Sequence, residues 1–321
     1  MQPSTSAPAW PSHRAPGGSA LLMVLWVIAL LSFLMVTTLM IAMQDVEAGV
    51  AREMISRARH LAESGLAIGC HQQIEAGDPL LRGKPDSIES IEVQITSEEA
   101  RLNVNHLLTD THRSVLERLF ASWGLSRVEA ESVVDALMDF VDEDDFKHLK
   151  GAESSDYKAR GLSRGPANRP FRSLDEMLLV PGMDRVMQAA PRWREAFTLW
   201  GDGRLNLNEA EPALIAAVLD VPLTSAQNFT RHRDGLDGHP CTLDDNLAEE
   251  LEEVYDRLGK GRPSGEGTGE LVGLNGYTPR VVSIGRVNDC ARGIAVTLQR
   301  RDGKTQVLAW HEFVPSTAGR P

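Results

Sequence analysis

An uncharged segment near the N-terminus limits what this chain can fold into more than any other feature. From Ser19 to Met43, 25 residues pass without an Asp, Glu, Lys or Arg. As a helix this segment would be roughly 37 Å long, enough to cross the hydrocarbon core of a bilayer, which is about 30 Å thick. A short polar leader ending in Gly17-Gly18 precedes it. Cleavage at that glycine pair, unlike cleavage of an ordinary secretory signal, would leave the apolar helix on the mature protein.

Charge and composition narrow the classes of partner. The net charge is −12 and aromatic residues make up 5% of the chain. Phosphates would be repelled, and there is no sign of a base-stacking platform, so we expect no nucleic-acid partner. Arg14 is the only Lys or Arg before the apolar segment. Because Lys and Arg tend to stay cytoplasmic, we expect the N-terminus inside and roughly 280 residues outside, which in a Gram-negative cell is the periplasm.

The apolar helix is expected to continue over residues 44–76 and to stop at Gly77-Asp78-Pro79. In this second half, apolar residues recur at roughly the helical period and form a stripe between charged residues. Its members include Val46, Val50, Met54, Ala58 and Leu61. Such a stripe must pack on something, most simply a small sheet.

Strand patterns flank a helical middle region. Residues 88–95 and 281–284 are predicted strands, and residues 293–310 are a predicted β-hairpin that turns at Asp302-Gly303. The predicted fold class is therefore α+β, with a long N-terminal transmembrane helix on a small antiparallel sheet and a large inserted all-helical domain.

The glycine-rich linker Gly259–Gly269 marks the exit from the insertion. The predicted boundaries are a leader over 1–18, the N-terminal helix over 19–77 with its span over 19–43, the β part over 86–105 and 267–314, the helical domain over 106–262 and a tail over 315–321. The predicted helices between the strands are Arg113–Trp123, Ser126–Val141, Ser173–Leu179, Ala189–Leu199, Glu209–Leu219, Thr224–Arg233 and Leu243–Leu258.

The middle region contains an internal echo. The motif Arg101-Leu102-Asn103-Val104-Asn105 recurs as Arg204-Leu205-Asn206-Leu207-Asn208, and each copy precedes a predicted helix. We expect the second Asn of each copy to cap its helix by accepting backbone N–H groups. The echo indicates either two related helical units or convergence on one cap.

An acidic segment is the best candidate for a metal site. Residues 129–156 hold ten acidic and two basic side chains, several of them at the end of a predicted helix. Negative charge there opposes the helix dipole, and oxygen ligands at close spacing suit Ca²⁺. The candidate ligands are Asp139, Asp142, Asp144, Glu153 and Asp156. The spacing is not that of an EF-hand, and the alternative is a solvated acidic loop.

Two other functional classes are weighed against the residues. Residues 178–183, which contain Pro181-Gly182, resemble the hairpin of helix-hairpin-helix DNA-binding units, whose amides hold a phosphate. Acidic residues surround this turn and its second glycine is missing, so a structural turn is favoured over a membrane-anchored DNA-uptake protein. The chain carries no GxSxG, HExxH or phosphate-binding loop, and we expect no enzyme. The chain has three cysteines, Cys70, Cys241 and Cys290. They allow two alternatives: one disulfide between Cys241 and Cys290, or three unpaired thiols.

Taken in order, these motifs resemble the K-type minor pseudopilin of the type II secretion system, the general secretion pathway protein K family. The resemblance covers about residues 18–312. The matching segments are Gly18-Ser19-Ala20-Leu21-Leu22-Met23-Val24-Leu25-Trp26-Val27, Arg101-Leu102-Asn103-Val104-Asn105, Asp139-Phe140-Val141-Asp142-Glu143-Asp144, Gly151-Ala152-Glu153, Asn168-Arg169-Pro170-Phe171-Arg172-Ser173-Leu174-Asp175-Glu176-Met177, Arg204-Leu205-Asn206-Leu207-Asn208 and the Leu298 to Trp310 hairpin.

The resemblance implies a non-enzymatic role and a set of partners. A prepilin peptidase would cut after Gly18 and methylate Ser19. The helix would sit in the inner membrane beside the secretion platform, with the bulk of the chain in the periplasm. At the tip of the pseudopilus, the protein would contact the I- and J-type minor pseudopilins, help to initiate assembly and so support export of folded proteins across the outer membrane. The resemblance also strengthens the calcium hypothesis.

Two details of the helix bear on a position at the tip. Ordinary pilins carry a glutamate at the fifth mature position, where it pairs with a neighbour's N-terminal ammonium, and here that residue is Met23. A tip subunit with no such ammonium to neutralise can do without the carboxylate, although Met23 can also be read as one more apolar residue. Pilin-like helices bury mainly their later turns on their own sheet, so Val46, Val50 and Met54 are the candidate partner-binding residues.

Overall fold

The computed structural model describes residues 19–83, 88–161, 165–261, 268–301 and 304–315. The predicted leader with Gly18, the predicted turn at Asp302-Gly303, the middle of the predicted linker and most of the predicted tail lie outside these residues. In chain order, the helices and strands are α1 (Ser19–Gly69), β1 (Glu89–Ser97), β2 (Leu102–Asn103), α2 (Val104–Leu107), α3 (Arg113–Ser122), α4 (Arg127–Val141), α5 (Ser154–Ala159), α6 (Met183–Ala189), β3 (Phe197–Thr198), β4 (Leu205–Asn206), α7 (Pro212–Leu219), α8 (Leu223–Arg233), α9 (Leu251–Leu258), β5 (Val272–Gly273), β6 (Pro279–Val287), β7 (Cys290–Arg301) and β8 (Lys304–Phe313).

The chain forms two compact units, Met1–Ser56 and Arg57–Pro321. The described part of the first unit is the N-terminal portion of α1, whose large apolar side chains from Leu21 to Met43 are exposed. By length and composition this helix can cross a membrane, with a mean hydropathy of 2.6 in its most apolar window. The predicted transmembrane-like helix is therefore present.

The helix α1 ends earlier than predicted. Its last residue is Gly69, whereas the sequence favoured a stop at Gly77-Asp78-Pro79. In the structure Gly77 has a left-handed φ of 83°. Asp78 accepts the amide of Leu80 at 2.8 Å and so caps a short 3₁₀ turn, Pro79–Leu81. The stop signals at 77–79 were real, but they shape the loop after the helix because Gly69 already ends it.

The second unit contains a four-stranded antiparallel sheet in the order β1-β6-β7-β8. The last turns of α1 pack on it, and Ala62 and Leu66 are buried in one apolar cluster with Val93, Val281 and Ile294. The apolar stripe of the helix meets the apolar face of the strands, which removes both from water. The predicted α+β fold class is confirmed.

Close approach between α1 and the sheet depends on a glycine. A Cβ on Gly285 of β6 would collide with the carbonyl oxygen of Ala58 and would lie 2.6 Å from the amide nitrogen of Ala62. On one side of this contact, Arg59 donates two hydrogen bonds to Glu312 of β8, at 2.8 and 3.1 Å. The helix therefore lies directly against the backbone of β6.

We expect Gly285→Ala to lower the free energy of unfolding by about 2 kcal/mol, because the added methyl must push α1 away from the sheet. Denaturant unfolding of the full chain in detergent measures the change. Gly261→Ala is the matched control, since a Cβ there meets nothing within 4 Å, and we expect it to change the unfolding free energy by less than about 0.5 kcal/mol. Equal effects of the two substitutions would contradict this packing.

The middle region has its own apolar core. Trp193, Tyr157 and Phe120 are among its fully buried side chains. The rings of Phe120 and Phe197 meet edge to face with centroids 6.3 Å apart. The helix α4 begins with a capping box, in which Ser126 and Glu129 each accept the other's backbone amide. Local capping and a dense core therefore both support the predicted helices α3 and α4.

The two copies of the echoed motif make the same local hydrogen bond. The side-chain oxygen of Asn103 accepts the amide of Asn105 at 3.2 Å, and Asn103 is the N-cap of α2. The oxygen of Asn206 accepts the amide of Asn208 at 3.1 Å. The prediction that the second Asn of each copy is the cap is wrong, because the chain turns two residues earlier and the side chain of the first Asn accepts the free amide.

The side chain of the second Asn of each copy instead forms hydrogen bonds with a backbone segment that is distant in the sequence. Asn105 accepts the amide of Phe171 at 2.9 Å and donates to its carbonyl at 3.0 Å. Asn208 makes the same pair of bonds with Ala248, both at 2.9 Å. The copies also begin short parallel pairings, β2 with β3 and β4 with β5. These shared features favour two related units, and the short pairings mean that the region is not purely helical.

The structure departs most from the predicted helices at Ala189–Leu199 and Leu243–Leu258. The prediction for Ala189–Leu199 is wrong, because Pro191 follows α6 and the chain continues as a 3₁₀ turn and β3. Of Leu243–Leu258, only Leu251–Leu258 forms α9. Before it, the carboxylate of Asp245 accepts the amides of Cys241 and Thr242, at 2.7 and 3.2 Å, and holds them in a turn.

Buried carboxylates join the sheet to the middle region. Glu98 is 1% exposed and accepts the hydroxyl groups of Thr198 and Thr297. Glu99 accepts the hydroxyl and the amide of Thr278, at 2.8 and 3.1 Å. A buried charge without hydrogen-bond partners is costly. These bonds therefore fix the position of a short 3₁₀ turn, Glu98–Ala100, between the sheet and the middle region.

Candidate functional site

The acidic cluster lies where α4 ends. Asp139, in the last turn of α4, is fully buried, and Asp142 is the residue that follows the helix. The amide of His148 donates to Oδ1 of Asp139 at 3.0 Å, and Nδ1 of the same imidazole contacts that oxygen. The distance from Nδ1 to Oδ2 of Asp142 is 3.9 Å. The loop after α4 therefore folds back and brings an imidazole between two carboxylates.

Several carboxylate oxygens of this cluster are buried without a hydrogen-bond partner among the described residues. They are Oδ2 of Asp139, Oδ1 of Asp142 and both carboxylate oxygens of Glu153. A Cβ on Gly151 would collide with the carboxylate of Asp139, so the backbone approaches this group closely. Buried oxygens without donors are costly, and oxygen atoms are the ligands that Ca²⁺ prefers. The residues present fit a calcium ion.

The pKa values around the cluster report crowded negative charge. Burial raises the pKa of Asp142, and the charges of Asp139 and Asp144 raise it further. Burial, followed by the charges of Asp139 and Asp142, also raises the pKa of Glu153. For His148, partial burial opposes the charged form, but the hydrogen bond to Asp139 and the nearby carboxylates outweigh it and raise the pKa. The site therefore favours any positive charge, whether a proton or a metal ion.

The structure brings together part of the predicted ligand set. Ligand atoms of Asp139, Asp142 and His148 all lie within 4.8 Å of one another. His148 is absent from the predicted ligand set, because it has no metal-ligand spacing to those acids in the sequence. Its one sequence signal is its position nine residues after Asp139, in a loop that must return to the acidic helix end.

The other two predicted ligands are engaged elsewhere in the structure. Asp144 is exposed and accepts the amide of Phe146 at 2.7 Å. Asp156 accepts the ammonium of Lys147 at 2.8 Å and the amide of Glu153 at 2.9 Å. The hydrogen bond from the Lys147 ammonium lowers the pKa of Asp156, and the hydrogen bond from the Glu153 amide lowers it further. The carboxylate of Asp156 therefore already has a positive partner.

The predicted partner-binding residues precede the part of α1 that is buried on the sheet. Val46 is 66% exposed and Val50 is 45% exposed, whereas Met54 is partly buried. Further along the stripe, Ala58 and Ala62 are fully buried. The stripe therefore changes from exposed to buried at about Met54.

The Pro181-Gly182 turn has a packing role in the structure. Gly182 has a left-handed φ of 93° and is the N-cap of α6. A Cβ on it would lie 2.7 Å from a methyl group of Val133 on α4. Nearby, the carboxylate of Asp175 accepts the guanidinium of Arg194 at 2.7 Å. The glycine is required by this turn and by its contact with α4.

The three cysteines are unpaired. Cys70, Cys241 and Cys290 are all free and partly buried. Burial raises the pKa of the Cys70 thiol, and it raises that of Cys241 to about 12. Of the two alternatives read from the sequence, the structure has the three unpaired thiols, which serve as small, partly buried side chains.

A long apolar N-terminal helix whose last turns pack on an antiparallel sheet defines an α+β, pilin-like fold. The family model for type II secretion system (T2SS) protein K matches residues 100–192. The match covers less than a third of the chain, and it is to the same family that the sequence motifs resemble.

Solved structures agree on the fold. A chain from the crystal structure of the GspK-GspI-GspJ complex from the enterotoxigenic Escherichia coli type 2 secretion system is similar, with a TM-score of 0.56 and 19% sequence identity. The similarity covers 85% of this chain and 99% of that chain. No curated protein sequence matches the chain.

Proposed function

We propose that this chain is a minor pseudopilin that works at the tip of a type II secretion pseudopilus together with I- and J-type minor pseudopilins. The packing of the last turns of α1 on the sheet, with the earlier turns exposed, carries the proposal, because it leaves a lipid-length helix and an apolar stripe for assembly. The family match and the fold shared with a chain of a GspK-GspI-GspJ complex support it. Co-purification with the two partners tests it.

The proposed role is assembly rather than chemistry. The protein would help to initiate the pseudopilus and so support export of folded proteins across the outer membrane. Its helix would sit in the inner membrane, beside the secretion platform, and the second unit would lie in the periplasm. Met23 in place of the pilin glutamate supports a tip position, because a carboxylate with no neighbouring ammonium would be a costly charge in a helical bundle.

Processing by a prepilin peptidase after Gly18, with methylation of Ser19, is part of the proposal. We expect Gly18→Val to leave the precursor uncut, because a branched side chain replaces the residue next to the scissile bond. N-terminal sequencing of the protein from membranes measures this, with Gln2→Val in the leader as a control that is still cut. A mature protein that begins at Met1 or after Met43 would contradict this part of the account.

We further propose that the acidic cluster binds Ca²⁺ through Asp139, Asp142 and Glu153. Their unpartnered, buried oxygens support the site, and the ion would supply the positive charge that this helix end lacks. Asp144 and Asp156 remain members of the predicted set, and each would have to leave its present partner to bind the ion. His148 would then contribute a neutral imidazole or move aside.

The middle region, over residues 106–262, is proposed to be a domain inserted between the β segments 86–105 and 267–314. Glycine enrichment of 259–269 supports an exposed boundary there. We expect limited proteolysis of the full chain in detergent to cut first within 259–269 and to leave both flanking fragments resistant. Mass spectrometry of the fragments locates the cut. A first cut within α3 or α4 would contradict the boundary.

A further inference from the structure

Among the described residues, the strand β8 has an open hydrogen-bonding edge. Its one neighbour strand there is β7, paired from Gly293 with Phe313 to Arg301 with Lys304, with one register shift between Thr297 and Leu298. An edge strand presents a row of backbone N–H and C=O groups that can pair with another chain. With ten residues, β8 is long for such an edge.

The opposite edge of the same sheet is covered over part of its length. Beside β1, the amide of Gly83 donates to the carbonyl of Ile91 at 2.7 Å, and Arg82 forms an antiparallel bridge with Glu92. The chain therefore protects part of one edge with its own backbone. Natural sheets commonly cover or blunt their edges, so the edge at β8, which no described residue covers, needs an explanation.

Between Lys304 at its start and Glu312 near its end, β8 carries no Asp, Glu, Lys or Arg that would blunt the edge. The strand contains no proline, and Val307 and Trp310 are 52% and 49% exposed. Glu312, near its C-terminal end, is held to α1 by the two bonds from Arg59. A firmly held strand with exposed apolar side chains suits the addition of a further strand, because the backbone is already extended and ordered.

Charge selects the kind of strand that can add. Arg300 and Arg301 at the end of β7, and Lys304 at the start of β8, are exposed in a chain whose net charge is −12. Even with Asp302 between them in the sequence, this end of the hairpin is positive. It attracts an acidic segment, whereas a second copy of this acidic chain is repelled at long range.

We propose that β8 is a docking edge for an extended, acidic strand of a different subunit in the same assembly, which pairs with it by β-strand addition. The inference rests on the proposed function, because it takes the I- and J-type pseudopilins as the source of that strand. Main-chain hydrogen bonds along β8 would supply affinity, and the cationic hairpin end would set the direction and register of the added strand.

Hydrogen exchange on the full chain in detergent tests the proposal, alone and with detergent-solubilised I- and J-type subunits. On complex formation we expect amide exchange over residues 304–313 to slow by about tenfold or more. Val307→Lys and Trp310→Lys add edge charges and are expected to weaken the complex by about tenfold, while Tyr277→Lys, at a 71% exposed position outside the strands, is the control. Lys304→Glu should weaken it most at low salt.

The outcomes separate this proposal from the proposed function. A complex that forms with unchanged exchange over 304–313 overturns the docking edge and leaves the function standing. The absence of any complex overturns both. Protection, in the chain alone, of the β8 amides that do not donate to β7 also overturns it. If that protection depends on concentration, a second copy covers the edge, and if it does not, the chain covers its own edge.

Discussion

Replacing Val50 with aspartate is expected to abolish assembly with the I- and J-type subunits and to stop secretion. Val50 is 45% exposed, so the fold of the chain does not depend on burying it. In the proposed assembly it enters an apolar contact between helices, where an unpaired carboxylate costs several kcal/mol, of the order of 2–5. Pull-down of the partners from detergent extracts, together with a secretion assay, measures the effect.

A control on the same helical turn isolates the stripe. Ala48→Asp places the same charge about 160° around the helix from Val50, outside the stripe. We expect that variant to assemble and secrete nearly normally. Normal secretion by Val50→Asp would show that the stripe is not the interface. Loss of cooperative unfolding in Val50→Asp would instead show that the stripe belongs to the core.

Calcium is expected to raise the melting temperature of the full chain, and Asp139→Asn is expected to remove that effect. At an ion concentration 100 times the dissociation constant, binding contributes about 2.7 kcal/mol. For a unit of this size that corresponds to a rise of about 5–10 °C. Thermal unfolding in detergent, with calcium and with a chelator, measures the shift. Glu143→Gln, an exposed acid of the same loop, should keep the full shift.

The pH dependence of stability should change sign with calcium. Without the ion, the raised pKa values of Asp142 and Glu153 mean that stability falls as pH rises through them, and the raised pKa of His148 acts in the same direction. With calcium, protons compete with the ion, so its stabilisation is present at neutral pH and is lost as pH falls through the same values. Identical profiles with and without calcium would contradict the site.

The overall fold could be predicted because its signals are local and repeated. The uncharged segment and the apolar stripe define α1, and alternation in residues 88–95 and 281–284 defines β1 and β6. The burial of Glu98 and Glu99 could not be predicted, because their partners Thr297 and Thr278 lie about two hundred residues away. The second Asn of each echoed motif binds a distant backbone segment for the same kind of reason, and sequence spacing does not indicate that contact.

The candidate metal site was predictable in composition and not in detail. The sequence predicted that acidic residues cluster around Asp139 and Asp142, because both lie at the end of the same helix, α4. Whether an acid faces inwards depends on the path of the returning loop. Gly151 lets that loop approach Asp139, which buries its free oxygen, while Lys147 captures Asp156. His148 was missed because the loop, not a helical period, carries it back to the cluster.

Co-purification tests the central claim most directly. The full-length chain, expressed with its host's I- and J-type minor pseudopilins and extracted in mild detergent, should elute with both partners as one complex on size-exclusion chromatography. Val50→Asp should elute without them, and Ala48→Asp should elute with them. Elution of the unmodified chain alone, folded and correctly processed after Gly18, would contradict its assignment as a minor pseudopilin of the tip.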